Sequence, residues 1–302
     1  MTRAYAPMLL LLAALWGASY LFIKVAVDDI EPAPMMTIRL LGAAVPLLAY
    51  VIWRLGRQTA VGHLRRAWRA TLVLGVINAA LPFWLIAWGE KHIDSSVAAI
   101  AQATVPIFVL LLGLRFLPHE HVTPARLAGV AIGFVGVGAL AGLNPIGGWW
   151  AVAGTLAVVL SSLSYAGGGV YGQLRVAAVP GPVLAAGSML FGGLLLLPFA
   201  LLQVPDHLPG WKAAASLAAL TLLGTALAQL ILYRILALHG SAKLSLVTYL
   251  MPGFAVVYGA LLLDEPITAG VLLGLVLILA GVAVASGKAR LGRAAVAEGS
   301  AR

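Results

Sequence analysis

The 302-residue chain has no cysteine, which excludes structural disulfides, thiol catalysis and thiolate metal sites. Charge is scarce: 10% of residues are Asp, Glu, Lys or Arg, and only ten are acidic. Histidine is confined to His63, His92, His119, His121, His207 and His239, all expected in loops or at helix ends. His119-Glu120-His121 lacks the i, i+4 spacing that sets two imidazoles on one helix face, so no metal site is expected. No serine has a histidine and a carboxylate on a shareable face, and no glycine-rich strand-to-helix turn is present to cradle a phosphate. The chain therefore reads as neither an enzyme nor a cofactor protein.

What the sequence does have is apolar length. With 62% hydrophobic residues and a mean hydropathy of +1.03, it cannot fold as one soluble domain, so lipid must be the solvent for much of its surface. Ten stretches are long enough to cross a hydrocarbon core of roughly 30 Å as helices of about 20 residues. They are 8–27, 34–53, 70–89, 95–114, 124–143, 151–171, 182–202, 212–233, 243–263 and 267–287. The fold class is an all-α integral membrane protein. Arg3 and the alanines after it resemble a signal peptide, but the length of the first stretch and the nine that follow favour a retained helix.

A net charge of +9 suggests nucleic acid in a soluble protein, yet here it falls on alternate loops. With the N-terminus inside, cytoplasmic segments hold Arg3, Arg54, Arg57, Arg65, Arg66, Arg69, Arg115, Arg126, Arg175, Arg234, Lys243, Lys288, Arg290, Arg293 and Arg302, 15 of the 19 basic residues. Lys24, Arg39, Lys91 and Lys212 remain outside. The positive-inside rule then puts both termini in the cytoplasm. No aromatic-interleaved basic module is present, so nucleic acid is not an expected partner.

The chain repeats itself. Pro106 matches Pro252 at an offset of 146, and Glu120, Thr123, Gly129 and Gly136 match Glu265, Thr268, Gly274 and Gly281 at 145. Residues 1–145 and 146–290 are thus expected to be two five-helix copies, with 291–302 a cytoplasmic tail. Five spans is an odd number, so the copies must sit upside down relative to each other, an arrangement secondary transporters use.

Polar side chains inside the spans carry the functional information, because each is costly in lipid unless it faces another helix or a wet cavity. Trp16, Ser19, Tyr20 and Lys24 form one helical stripe, and their repeat mates are Ser161, Ser164, Tyr165 and Gly169. Ser245, Thr248, Tyr249 and Pro252 form a second, whose mates are Ala99, Gln102, Ala103 and Pro106. The third and eighth spans add Asn78, Trp84, Trp88, Thr225 and Gln229. The expected substrate-binding set is Trp16, Ser19, Tyr20, Asn78, Gln102, Ser164, Tyr165, Gln229, Ser245, Thr248 and Tyr249, with Pro82, Pro106 and Pro252 as helix kinks. Each has a structural alternative. Serine and threonine bond carbonyls one turn back, small residues serve packing, and Trp88 near a span end suits the interfacial belt.

Leu15-Trp16-Gly17-Ala18-Ser19-Tyr20, the arginine of Met36-Thr37-Ile38-Arg39, and the paired hairpins running from proline through glutamate to glycine-rich helix resemble the EamA family of the drug/metabolite transporter superfamily. The resemblance spans residues 8–287. It implies a multi-pass protein of the bacterial inner membrane, with spans 1–4 and 6–9 around a central path and spans 5 and 10 at the periphery. It also implies export of small metabolites by alternating access, and the aromatic stripe is most similar to the aromatic amino-acid exporter branch. Expected partners are a small-molecule substrate and membrane lipid, with oligomeric state open and a monomer kept among the options. A broad-specificity metabolite or drug exporter, and a channel-like or structural membrane protein, are the alternatives.

Small multidrug transporters of that superfamily use a membrane-embedded carboxylate. Here Asp28, Asp29, Glu31, Glu90, Asp94, Asp206, Asp264 and Glu265 are expected at the outer side, Glu120 at the inner side and Glu298 in the tail. A mid-membrane proton relay is therefore not expected, and a neutral or zwitterionic substrate fits better. Lys24 and Arg39, expected near outer span ends, are placed to snorkel or to meet a substrate carboxylate. Facilitated transport follows, with Glu90, His92 and Glu265 as peripheral groups able to couple only indirectly.

Overall fold

In a computed structural model, residues 5–116, 123–142, 148–176, 179–204 and 207–285 are described. His119, Glu120, His121, Asp206 and the tail lie outside them. Among the described residues the regular structure is all helical: α1 (Tyr5–Val27), α2 (Pro32–Leu55), α3 (Arg57–Glu90), α4 (Ser95–Phe116), α5 (Pro124–Gly142), α6 (Gly148–Arg175), α7 (Gly181–Leu201), α8 (Trp211–Gly240), α9 (Val247–Leu262) and α10 (Ala269–Ala285). Eight are long and apolar enough to cross a membrane, and α9 and α10 are shorter apolar helices. Each coincides with one expected stretch. The third differs in length. Its 34 residues rise about 50 Å at about 1.5 Å per residue, more than a hydrocarbon core of roughly 30 Å needs, and the arginines expected in a loop, Arg57 to Arg69, are helical.

The bundle has two chemically distinct ends. At one, Lys91 pairs with Glu31 at 2.7 Å and His207 with Asp29 at 3.3 Å. The Gly210 amide donates to Asp29, and this bond, with His207 second, holds the Asp29 carboxyl below the usual carboxylate range. Every described carboxylate lies at this acidic end. The opposite, basic end carries Arg54, Arg57, Arg115, Arg126, Arg175, Arg234 and Lys243, and there the Tyr5 hydroxyl donates to the Lys243 carbonyl.

Close packing follows glycine. A Cβ on Gly281 would lie 2.6 Å from the Gly129 carbonyl oxygen, and one on Gly136 would lie 2.9 Å from the Ile278 nitrogen. From Gly129 to Leu140 the partners run backward from Ala285 to Gly274, so α5 and α10 are antiparallel. The contact Gly129–Ala285 maps onto Gly274–Leu140 when each residue is exchanged for its mate 145 positions away. These two helices pack chiefly on each other, to the side of the bundle. Gly281→Leu should therefore destabilise the protein by about 1–3 kcal/mol, because rigid backbone, not a flexible side chain, fills the space. Thermal unfolding in detergent followed by gel filtration measures this, and a variant as stable as the wild type would contradict the packing.

Two spans carry π-helical turns at matching places, Val76–Ala80 in α3 and Leu222–Leu227 in α8, again 146 apart at their starts (222 − 76). In α3 the cause is Pro82, which lacks the amide that would bond the Asn78 carbonyl. In α8 no proline is involved. The Thr225 hydroxyl donates to the Leu220 carbonyl five residues back and widens the ladder. α4 is broken at Ala103–Thr104, in the turn before Pro106, which lacks an amide to bond back. The Ala101 carbonyl accepts from both the Thr104 hydroxyl at 2.7 Å and the Thr104 amide at 3.2 Å, and the Ser162 hydroxyl approaches the Gln102 carbonyl, which Pro106 leaves without its helical partner, at 3.4 Å. Pro252 instead lies inside α9, whose N-terminal break falls earlier, at Ser245–Leu246. The two copies of this element are therefore broken at positions 142 apart (245 − 103), not 146.

Candidate substrate-binding site

At the core of the bundle is a cation. Arg39, two turns into α2, is 5% exposed. Its Nε donates to Thr225 Oγ1 at 2.9 Å, and its guanidinium carbon sits 3.9 Å over the Phe83 ring. The π turn in α8 is what presents Thr225 to Arg39, since that hydroxyl both bonds Leu220 and accepts from the guanidinium. Phe83 in turn packs 6.2 Å from Tyr165 on α6. Tyr20, Tyr165 and Glu90 all lie within electrostatic reach of Arg39. None of the ion pairs among the described residues involves Arg39. A guanidinium taken out of water is costly unless its charge is balanced.

Of the two alternatives expected for Arg39, snorkelling to water or meeting a substrate carboxylate, this burial removes the first. Lys24 does not snorkel either; its ammonium donates to the carbonyls of Glu90 at 2.8 Å and Ile93 at 2.9 Å, pinning α1 to the end of α3. Glu90 and Glu265 were expected to be peripheral, yet Glu90 is fully buried and Glu265 is 8% exposed. Glu265 accepts from the backbone amides of Ser95 at 2.7 Å and Ser96 at 3.0 Å, so it caps the start of α4 from the other half of the chain.

The expected site residues divide into groups. Tyr20 and Tyr165 adjoin Arg39. On the α6 side of α4, Gln102 Oε1 accepts from Ser161 at 2.6 Å, a repeat mate of Trp16 that belongs beside it. Ser164 donates at 2.6 Å to the carbonyl of Ile77, in the first π turn, next to Asn78, which packs on Gly168. Ser19 donates to Leu15 and fills the space over Gly224, so its hydroxyl serves the α1–α8 seam. Trp16 is half-buried between the two largest apolar clusters. Gln229 in α8, and Ser245, Thr248 and Tyr249 at and just before the start of α9, are half-buried, and the Thr248 hydroxyl donates to the Ser245 carbonyl at 2.7 Å. Trp88 stacks edge-on against His92 and Trp150 at the acidic end, in keeping with a belt position.

Burial is uneven along the axis. At the acidic end the whole run Pro32–Thr37 and the residues Ala98–Thr104 are buried, whereas Ser164, Tyr165, Gln229, Thr248 and Tyr249 keep partial exposure. Phe83, Arg39 and Thr225 are the central residues that the polar stripes did not single out together. Their signal was an arginine seven residues past the proline that opens its helix.

The sequence profile of the EamA-like transporter family matches residues 4–141 and again 152–287. The chain belongs to this family. It is a multi-pass membrane transporter. Among curated relatives, the uncharacterized transporter YoaV of Bacillus subtilis is 26% identical over 272 residues, covering 89% of this chain and 91% of YoaV. The uncharacterized inner membrane transporter YedA of Escherichia coli K12 is 32% identical over 193 residues, 61% of this chain and 57% of YedA. An uncharacterized transporter of Archaeoglobus fulgidus is 24% identical across 93% of this chain and 96% of its own length. One crystal structure superposes with a TM-score of 0.67 at 20% identity, covering 96% of this chain and all of its own, and so shows the fold.

Proposed function

We propose that this EamA-family transporter is an inner-membrane exporter of amino acids, aromatic or other neutral ones, working by alternating access between two inverted halves. The observation that carries the substrate class is Arg39, a buried guanidinium whose partners among the described residues are a hydroxyl, a methionine sulfur and an aromatic face. A substrate carboxylate supplies the missing anion through the fork of guanidinium N–H groups. Phe83, Tyr165 and Trp16 offer apolar faces for its side chain, and the hydroxyls and amides of Tyr20, Gln102, Tyr249 and Gln229 offer polar ones.

Three features support the inverted halves: the family match occurs twice, the π turns recur at one offset, and the α5–α10 contacts are self-consistent under exchange of the copies. Asymmetry is equally expected of a carrier held in one state. The acidic end is tightly buried, the basic end is looser, and the kink in α9 falls one turn away from that in α4. With both termini cytoplasmic, this state faces the cytoplasm.

Uptake of radiolabelled amino acids into proteoliposomes tests the reading. Saturable uptake competed by neutral amino acids is the expected result; competition by cationic drugs alone, or flux that never saturates, would overturn it. Topology is checked separately. Gly62→Cys should react with an impermeant maleimide only from the cytoplasmic side and Asp264→Cys only from the opposite side, and the reverse pattern would contradict the inverted arrangement.

A further inference from the structure

Glu90 is the polar group whose position the transport reading does not use. It is the last residue of α3, it is fully buried, and neither carboxylate oxygen has a hydrogen-bond partner among the described residues. Its surroundings are closed on every side. Gly89 packs so tightly on Gly154 of α6 that a Cβ on either would lie 2.9 Å from the other's carbonyl oxygen. Lys24 and Tyr20 approach from α1, Arg39 from α2 and Glu265 from the turn before α10. Neither cation donates to the carboxylate oxygens of Glu90: Lys24 donates to the carbonyls of Glu90 and Ile93, and Arg39 to Thr225. Glu265 is spent on the amides of Ser95 and Ser96. An ionised carboxylate stripped of water and of donors costs several kcal/mol. The closed arrangement offers the Glu90 carboxylate neither solvent nor, among the described residues, a donor.

Beyond Ile93 lies a cavity of about 70 Å³ at the acidic end, lined by His92, Asp94, Val97, Thr155 and Thr268 among others. It touches the segment that separates Glu90 from the acidic-end surface, the stretch whose Ile93 carbonyl holds Lys24. Burial holds His92 below the ordinary imidazole value and Asp94 above the ordinary carboxylate value.

We propose that Glu90 is a proton-binding site whose occupancy gates the acidic end of the transporter. Binding a proton from the acidic-side water neutralises Glu90 and lets the Lys24–Glu90–Ile93 seam close over it. Opening of the seam admits water, and the carboxyl returns the proton to that water as it ionises. Low pH on the acidic side thus favours the closed, cytoplasm-facing state, and high pH favours the opposite one. The site is at the end of a span, so it stands beside the absence of a mid-membrane carboxylate. It replaces strict pH-independence of the carrier with a pH-set balance between its two states.

This inference rests on the alternating-access reading, but its test needs no substrate. Val97→Cys lines the cavity, and its reaction with an impermeant maleimide from the acidic side reports opening of that end. The rate is measured against pH in the Val97→Cys background and in the same background carrying Glu90→Gln. The ratio of the two rates cancels the pH dependence of the thiol itself and of His92 and Asp94. A ratio that rises on the order of tenfold between acid and alkaline pH, the equivalent of one unit of proton linkage, is the expected result. Glu90→Asp should keep that rise. Infrared difference spectra of the purified protein give a second reading: a protonated-carboxyl stretch that titrates in the wild type and is missing in Glu90→Gln. A flat ratio, or a titrating carboxyl band unchanged by Glu90→Gln, overturns the proposal. If amino-acid flux fails while the ratio rises, the substrate reading falls and this site stands.

Discussion

Arg39→Gln should lower the transport efficiency for a neutral amino acid by about a hundredfold, on the order of 3 kcal/mol, while the protein still folds and reaches the membrane. The glutamine amide can still donate to Thr225 Oγ1, which Arg39 contacts at 2.9 Å, so the α2–α8 seam keeps its bond. What it loses is the positive charge over Phe83. Arg39→Lys should fall between, because it retains charge without the planar fork that matches a carboxylate. Initial rates in proteoliposomes across a substrate range decide the matter, and Arg39→Gln kinetics equal to the wild type would remove the anion site.

Glu265→Ala should cost about 3 kcal/mol of stability, since two charge-assisted bonds disappear and two buried amides lose their acceptor. Those amides, Ser95 and Ser96, begin α4, and their acceptor belongs to the other half of the chain. The substitution thus loosens the contact between halves at the acidic end. Thermal unfolding in detergent shows the loss, and Glu265→Gln, which keeps one acceptor oxygen, should recover part of it. An alanine variant as stable as the wild type would mean that water or another group already serves those amides.

The positions of the helices were legible because hydropathy alone marks a span when the solvent is lipid. Which face of each span turns inward was not. A helix such as α10 is apolar all round, since lipid and protein interior ask for the same side chains, and the sequence there offers no polar stripe to read. Glycine lines the seams: Gly129, Gly136, Gly274 and Gly281, which the sequence offers only as repeat matches, all lie at the α5–α10 contact. Arg39 and Glu90 were misplaced for a common reason. A charged residue within reach of a span end can turn to water, and only the fold shows that Thr225, 186 positions from Arg39, and the Gly89–Gly154 contact close those routes. Pro82 made the first π turn readable, whereas the second arises from a threonine hydroxyl that carries no such signature.

The central claim is a carrier that recognises its substrate through a carboxylate at Arg39. Exchange in proteoliposomes preloaded with labelled L-phenylalanine tests it most directly. External unlabelled L-phenylalanine should accelerate efflux of the label, whereas phenethylamine, which has the same ring and ammonium but no carboxylate, should not. Equal acceleration by both compounds, or efflux indifferent to either, would contradict the account.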